Sequence, residues 1–195
     1  AIAGLSAPER AAHANGVLAV AGPDVSNGEK EARAVAALHR DASLLTGDAA
    51  TGRGVLDAIP ADGLVHIAAH GHHEQNNPLF SGLMLADGLL FGYDVAPNPH
   101  LPAQIVLSSC DVGRTDERPG GEPLGLVAAL VRSGVRTVIA ATSRISDEVA
   151  EPAMIGYHRH LLAGLRAAAA LSAALDEVSG LTDLPAPLTC FGGSL

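Results

Sequence analysis

The residues of this chain that could do chemistry are a histidine and a cysteine, each placed where an apolar run ends. The segment LVHIAAHG (64–71) ends in His70 and Gly71, and IVLSSCDVG (105–113) carries Cys110. A thiol with an unperturbed pKa of about 8.5 is mostly protonated at neutral pH, and a nearby imidazole can act as its base. The pair therefore predicts nucleophilic chemistry at Cys110 if the fold brings the two segments together.

A glycine directly after the histidine adds a second chemical element. Gly71 has no side chain, so its N–H group can approach a reacting carbonyl oxygen and, with the N–H of Cys110, form an oxyanion hole. The competing interpretation is structural, because a cysteine at a strand end is commonly a small buried apolar residue. Spacing alone favours this structural interpretation and leaves the catalytic one open.

The elements that must position these residues follow from apolar patterning. Short apolar runs predict strands at 17–22, 63–71, 104–113 and 136–143, and Asp87-Gly88 predicts a hairpin within 83–92. Periodic segments predict helices at 29–41, 124–134, 146–164 and 165–180, with a short one after Thr51. Strands that alternate with helices favour an α/β fold with a mostly parallel sheet, covered on both faces, and one added hairpin. Sites in such sheets gather at the carboxyl ends of the strands, which is where His70 and Cys110 are expected.

Length and composition limit the classes of protein to consider. The chain has 195 residues, 48% of them apolar, and a formal net charge of −9. We expect residues 1–15 to be an N-terminal extension or the remnant of a trimmed tag, and 16–195 to be a single domain. The negative charge argues against a nucleic-acid partner, and the apolar runs are too short for a membrane span. Two cysteines far apart favour a reducing compartment, and hence the cytoplasm.

Four histidines within eight positions raise the alternative of a metal hydrolase. A zinc site would draw on His66, His70, His72, His73 and Glu74. In a strand, however, residues four apart are separated by about 13 Å, so His66 and His70 cannot share one ion without a bend. We therefore expect no metal and no other cofactor. The remaining interpretations are structural: a core position for His66, a solvated loop for His72, His73 and Glu74, and a helix surface for His158 and His160.

Taken in order, the two segments resemble the CHAT domain, a caspase-like module of the legumain–caspase–separase group of cysteine peptidases. The family pattern is an apolar strand ending in His-Gly, a hairpin, and an apolar strand ending in Leu-Ser-x-Cys; the resemblance extends over roughly residues 16–193. It implies a three-layer α/β/α caspase-like sandwich and a cysteine endopeptidase. In such an enzyme His70 and Cys110 would be the catalytic dyad, with the N–H groups of Gly71 and Cys110 as the oxyanion hole. It also implies a protein or peptide substrate and, as partner, a helical-repeat region of the same polypeptide.

Two positions depart from the family pattern, and both are candidates for a substrate subsite. Asp111 stands where the family commonly has a residue such as Gln, and an acid there would prefer a basic substrate side chain while opposing thiolate formation. Ser143 stands where the family usually has a Trp, a side chain suited to lining the substrate groove. The alternative function is therefore a catalytically degenerate CHAT-like interaction or sensor module.

Overall fold

The computed structural model describes residues 16–72, 74, 80–95, 97–108, 124–143, 145–182 and 185–193. In chain order the strands are β1 (Val17–Ala21), β2 (Ala42–Leu45), β3 (Leu64–Ala68), β4 (Gly71–His72), β5 (Gly82–Leu85), β6 (Gly88–Phe91), β7 (Gln104–Ser108), β8 (Thr137–Ala141) and β9 (Leu188–Gly192). The helices are α1 (Gly28–Leu38), α2 (Gly52–Ala58), α3 (Gly92–Val95), α4 (Leu124–Ser133), α5 (Asp147–Leu162) and α6 (Ala167–Val178).

These strands form one large and one small sheet. The large sheet has the order β2-β1-β3-β7-β8-β9, in which only β9 runs antiparallel to its neighbour. The small sheet, β4-β5-β6, is antiparallel, and β5 and β6 form the hairpin predicted from Asp87-Gly88. Gly88 opens β6 at a φ of 126°, a conformation that favours glycine. The predicted α/β fold, with a mostly parallel sheet and an added hairpin, is confirmed.

Helices cover both faces of the large sheet and make the fold a three-layer sandwich. Alternate residues of each strand point to opposite faces, so Val65 and Ile67 pack with α2, α4 and the β5–β6 hairpin. Leu64 packs on the opposite face, with α5 and α6. Helix α1 covers β1 on that same side through Ala32 and Val35. The even-numbered positions of β3, His66 among them, therefore face the layer of α1 and α5.

Capping residues in the sequence predicted the ends of two helices, whereas the edge strands of the large sheet were not predicted. Thr51 caps α2 by accepting a hydrogen bond from the Gly54 N–H at 2.9 Å, and Gly134 closes α4 at a φ of 110°. Strands β2 and β9, the two edge strands of the large sheet, were not predicted from the sequence. Both are short and only partly buried, so neither shows the apolar run that marks an interior strand.

Among the helices in the described ranges, none is both long enough and apolar enough to cross a bilayer.

Candidate active site at the carboxyl edge of the sheet

Strands β3 and β7, which precede His70 and Cys110, lie side by side, as the predicted site requires. They are parallel neighbours, and the last residues in register are Ala68 and Ser108. His70 lies two residues beyond the first of these. Cys110 and Asp111 follow the second along the chain and lie outside the described residues, as does His73. The structure thus places the histidine at the predicted edge, beside the end of the strand that leads to Cys110.

The imidazole of His70 is oriented by a main-chain carbonyl group. Its Nε2 lies 3.0 Å from the carbonyl oxygen of Asp24. A carbonyl oxygen can only accept, so Nε2 must carry the hydrogen and donate. In the neutral imidazole this leaves Nδ1 as the basic nitrogen. The half-buried ring is therefore held as the Nε2–H tautomer, in which Nδ1 is the nitrogen that can act as a base.

The turn that presents Asp24 is held tightly against the end of β3. The Gly22 N–H donates to the Ala68 carbonyl oxygen at 2.8 Å, and Asp24 has a φ of 60°. A Cβ added to Gly22 would lie 2.5 Å from the Met84 carbonyl oxygen and 2.8 Å from Ala69 Cβ. Only glycine lets the backbone pass so close, and this passage brings the Asp24 carbonyl to the imidazole.

The small sheet fixes the backbone of the site from the other side. The Met84 N–H donates to the His70 carbonyl oxygen at 2.8 Å, and Gly71 pairs with Leu83 in the antiparallel ladder. In such ladders hydrogen-bonded and non-bonded pairs alternate, so the bond at His70 makes Gly71–Leu83 a non-bonded pair. The exposed Gly71 consequently directs its N–H away from β5.

Ser143, the candidate subsite residue, lies just beyond the end of β8, which is separated from β3 by β7. It is exposed and follows β8 by two residues, after Thr142, whose N–H donates to the Pro187 carbonyl oxygen at 2.7 Å. Ile145, Val149 and Pro187 then help to line an open cleft of about 430 Å³. The structure thus places Ser143 at the same sheet edge as His70 but two strands away.

The other histidines divide into exposed and buried ones. His72 is exposed in β4, and His66 is fully buried, which confirms its interpretation as a core residue. The surface prediction for His158 is wrong, because its side chain is also 0% exposed. In the described residues no group of three or more His, Cys, Asp or Glu is arranged to hold a metal ion.

His158 belongs to a buried chain of polar contacts that the sequence did not predict. His39 Nε2 lies 3.0 Å from His158 Nδ1, and His158 Nε2 lies 3.2 Å from His66 Nδ1. His66 Nε2 in turn lies 2.9 Å from Glu31 Oε1, within ion-pair distance but not aligned as a hydrogen bond. Burial, then the neighbouring His66 and His39, hold the pKa of His158 well below its usual range, and burial followed by His66 also lowers the pKa of His39.

One further contributor to the site was missed although the sequence carried a signal for it. Asp24 follows Gly22-Pro23 directly after a buried strand, and such a sequence predicts a turn at the carboxyl edge of the sheet. The turn was predicted only as the end of β1. Because the turn contacts His70 through the main-chain carbonyl oxygen of Asp24, no side-chain pattern in the sequence reveals this contact.

Comparisons with known proteins agree with this geometry. The family model for the CHAT domain matches residues 3–183. No curated protein matches. A crystal structure of the Arg-specific cysteine proteinase gingipain R is similar, with a TM-score of 0.57, 16% sequence identity and coverage of 92% of this chain. That similarity shows the fold alone, and this chain spans 46% of the proteinase chain.

Proposed function

This chain belongs to the CHAT domain family, and we propose that it is a caspase-like cysteine peptidase with Cys110 as nucleophile and His70 as base. The observation that carries the proposal is the 3.0 Å contact between His70 Nε2 and the Asp24 carbonyl oxygen. It holds a half-buried imidazole at the sheet edge with Nδ1 as the nitrogen able to take a proton.

The position of Cys110 in the chain supports its pairing with His70. Ala68 and Ser108 are in register, and each catalytic candidate follows its strand by two residues. Two residues of extended chain reach about 7 Å at most. This short reach supports the pairing of Cys110 with His70.

The proposed reaction uses the residues as follows. His70 Nδ1 takes the thiol proton, and the thiolate of Cys110 attacks the peptide carbonyl carbon. The N–H groups of Gly71 and Cys110 stabilise the oxyanion, in accord with the direction of the Gly71 N–H away from β5. His70 then protonates the leaving amine, and the peptide C–N bond breaks to leave a thioester. A water molecule, deprotonated by His70, hydrolyses that thioester and regenerates the thiol.

Asp111 and Ser143 would determine the charge and the shape of the substrate groove. We assign Asp111 to a subsite that favours a basic side chain, because a carboxylate beside the reacting centre attracts a cation. The proteinase of similar fold is Arg-specific, which fits the same chemical class of substrate. Ser143 would border the groove where family members carry a larger side chain. In the full polypeptide, a helical-repeat region would act as the regulating partner.

The two cysteines of this chain allow a matched test of the nucleophile. The protein is treated with iodoacetamide and, separately, with a peptidyl chloromethyl ketone bearing Arg, and labelling is followed by intact mass. We expect fast labelling that Cys110→Ala abolishes and that Cys190→Ala leaves unchanged, since burial raises the pKa of the half-buried Cys190 thiol. Slow labelling at Cys110, or labelling that does not depend on His70, would overturn the proposal.

A second candidate function, a non-catalytic interaction module, is favoured by an exposed aromatic cluster. Phe80 and Tyr93 are 49% and 41% exposed, and both rings pack with Phe91. Three of the five aromatic residues of this chain therefore lie together at the open end of the β5–β6 hairpin, near β4. Exposed aromatic clusters of this kind commonly mark protein-binding surfaces. Failure of the Cys110 labelling, with the fold intact, would favour this function.

A further inference from the structure

A chain of three imidazoles and one carboxylate crosses the layer between the large sheet and the helices. It begins at the half-buried His39, directly after α1, passes through His158 of α5 and His66 of β3, and ends at Glu31 of α1. His66 and His158 are 0% exposed and Glu31 is 4% exposed. A polar chain at this depth joins three elements whose other contacts in this layer are mainly apolar.

The order of atoms in the chain gives it a direction. If Glu31 is ionised, a lone pair on His66 Nε2 would face a carboxylate oxygen 2.9 Å away, so Nε2 carries the ring hydrogen although the contact is not aligned as a hydrogen bond. His66 Nδ1 is then an acceptor. His158 Nε2 must then donate to His66, which leaves His158 Nδ1 to accept from His39 Nε2. Every ring is therefore the Nε2–H tautomer, and the one acceptor left over is Nδ1 of His39, at the outer end.

Such an arrangement has room for one added proton. A proton taken up at His39 Nδ1 lets the Nε2 proton of His39 pass to His158 Nδ1, and the Nε2 proton of His158 pass to His66 Nδ1. His66 then becomes an imidazolium beside the Glu31 carboxylate, and each contact keeps one donor and one acceptor. A second proton would make two of the three rings cationic and would leave one contact with a hydrogen on both of its facing nitrogens. The rings are close enough for this to be costly, because the centroids of adjacent histidines are 5.1 Å apart.

We propose that the row of contacts from His39 through His158 and His66 to Glu31 is a pH-operated latch, meaning a contact that holds α1 and α5 on the sheet until it is protonated. The first proton passes from the outer end to His66, beside Glu31, and leaves the contacts intact. A second proton, added at lower pH, releases α1 and α5 from the sheet. The inference does not depend on the peptidase function, since no step uses Cys110. It predicts that the helical layer on this face opens at mildly acidic pH.

The surroundings of the latch leave the histidines as the groups that respond in this range. Among the described residues, Tyr157 of α5 packs edge-on against His158, and burial raises the pKa of its phenol, which stays neutral. Nearer to solvent, Lys30 and Glu151 form an ion pair that joins α1 to α5, with Nζ and Oε1 2.8 Å apart. The lowered pKa values of His39 and His158 agree with a chain that resists the second proton.

The sign of the pH effect follows from linkage. A histidine whose folded pKa lies below its unfolded value of about 6.5 binds its proton more readily in the unfolded chain. Stability is therefore fully present above that value and falls as the pH drops below it. Two such histidines reduce the folding equilibrium constant about a hundredfold per pH unit, and one reduces it about tenfold.

The first test reads the tautomers directly and requires no variant. Long-range ¹H–¹⁵N correlation spectra of the imidazoles at pH 8 should show His39, His66 and His158 as Nε2–H tautomers. An Nδ1–H tautomer at His158 would overturn the proposal, because the direction of the chain would be reversed.

The second test follows the pH dependence with a matched control in the same helix. Urea unfolding and hydrogen exchange of α1 and α5 are measured from pH 8 to 5 for the protein, His39→Gln and His158→Gln. The control is His160→Gln, whose Nε2 contacts Glu177 Oε1 at 2.8 Å at the rim of the fold. We expect the folding equilibrium constant to fall about a hundredfold per pH unit in the unmodified protein and only about tenfold per pH unit in each latch variant. The control should keep the pH dependence of the unmodified protein. If His158→Gln does not fold, His39→Gln at the half-buried end carries the test; equal slopes in His39→Gln and His160→Gln would overturn the latch.

Discussion

His66 and His70 are the same residue type, four positions apart, one within β3 and one just past its end, and the fold places them in opposite surroundings. His66 lies in the middle of β3, fully buried, and pairs with groups from two helices. His70 lies past the end of the strand, half-buried, and its Nε2 is held by a main-chain carbonyl. Depth in the sheet, and not residue type or spacing, separates the buried His66 from His70, for which we propose the role of a base in the reaction.

The largest expected effect is on the rate of reaction when the outer histidine is removed. We predict that His70→Ala lowers the rate of Cys110 alkylation by the peptidyl ketone by about 10²- to 10⁴-fold, because the general base is lost. The free energy of unfolding should change by less than about 1 kcal/mol, since the half-buried ring lies at a strand end. Stopped-flow labelling and urea unfolding measure the two quantities. A His70→Ala variant with a large loss in the free energy of unfolding and an unchanged labelling rate would show that His70 is a structural residue and not the base.

The inner histidine should show the opposite pattern. His66→Leu keeps the volume of the side chain but leaves the buried Glu31 carboxylate without its partner. We predict a loss of about 3–5 kcal/mol in the free energy of unfolding, the usual cost of an uncompensated buried charge. Urea unfolding at pH 8 measures it, and His72→Leu on the exposed strand β4 is the control, with a change below about 0.5 kcal/mol. A similar, small change in both variants would contradict the assignment of Glu31 and His66 as a buried pair.

The contrast also explains what the sequence could predict. The buried strands, the hairpin at Asp87-Gly88 and the position of His70 followed from apolar patterning, because these features depend on neighbours in the chain. The surface prediction for His158 failed because the burial of a polar residue depends on partners far away in sequence, here His66 at a separation of 92 residues. The predicted family and α/β fold are confirmed, whereas Cys110 and Asp111, which lie outside the described residues, stay predictions.

An intermediate effect is expected where the turn crosses the end of β3. Gly22→Ala places a Cβ 2.5 Å from the Met84 carbonyl oxygen, so either the turn or the hairpin must shift. We predict a loss of about 1–3 kcal/mol in stability, together with a lower rate of Cys110 labelling, because both backbone segments that hold His70 meet here. Gly180→Ala is the control, since nothing lies within 4 Å of its added Cβ. Lost stability with an unchanged labelling rate would show that the turn does not position His70.

The smallest effect distinguishes the main chain of Asp24 from its side chain. The residue adopts a φ of 60°, which costs roughly 1–2 kcal/mol for most side chains and less for Asn or Gly. Because the carbonyl oxygen orients His70, we predict that Asp24→Asn and Asp24→Gly keep the labelling rate within about twofold and the stability within about 1 kcal/mol. Asp24→Val, which is β-branched, should lose about 1–2 kcal/mol and slow the labelling as the carbonyl moves. A tenfold slower rate in Asp24→Asn would instead assign the function to the carboxylate, and the difference between the two histidines would then rest on a charge and not on the backbone.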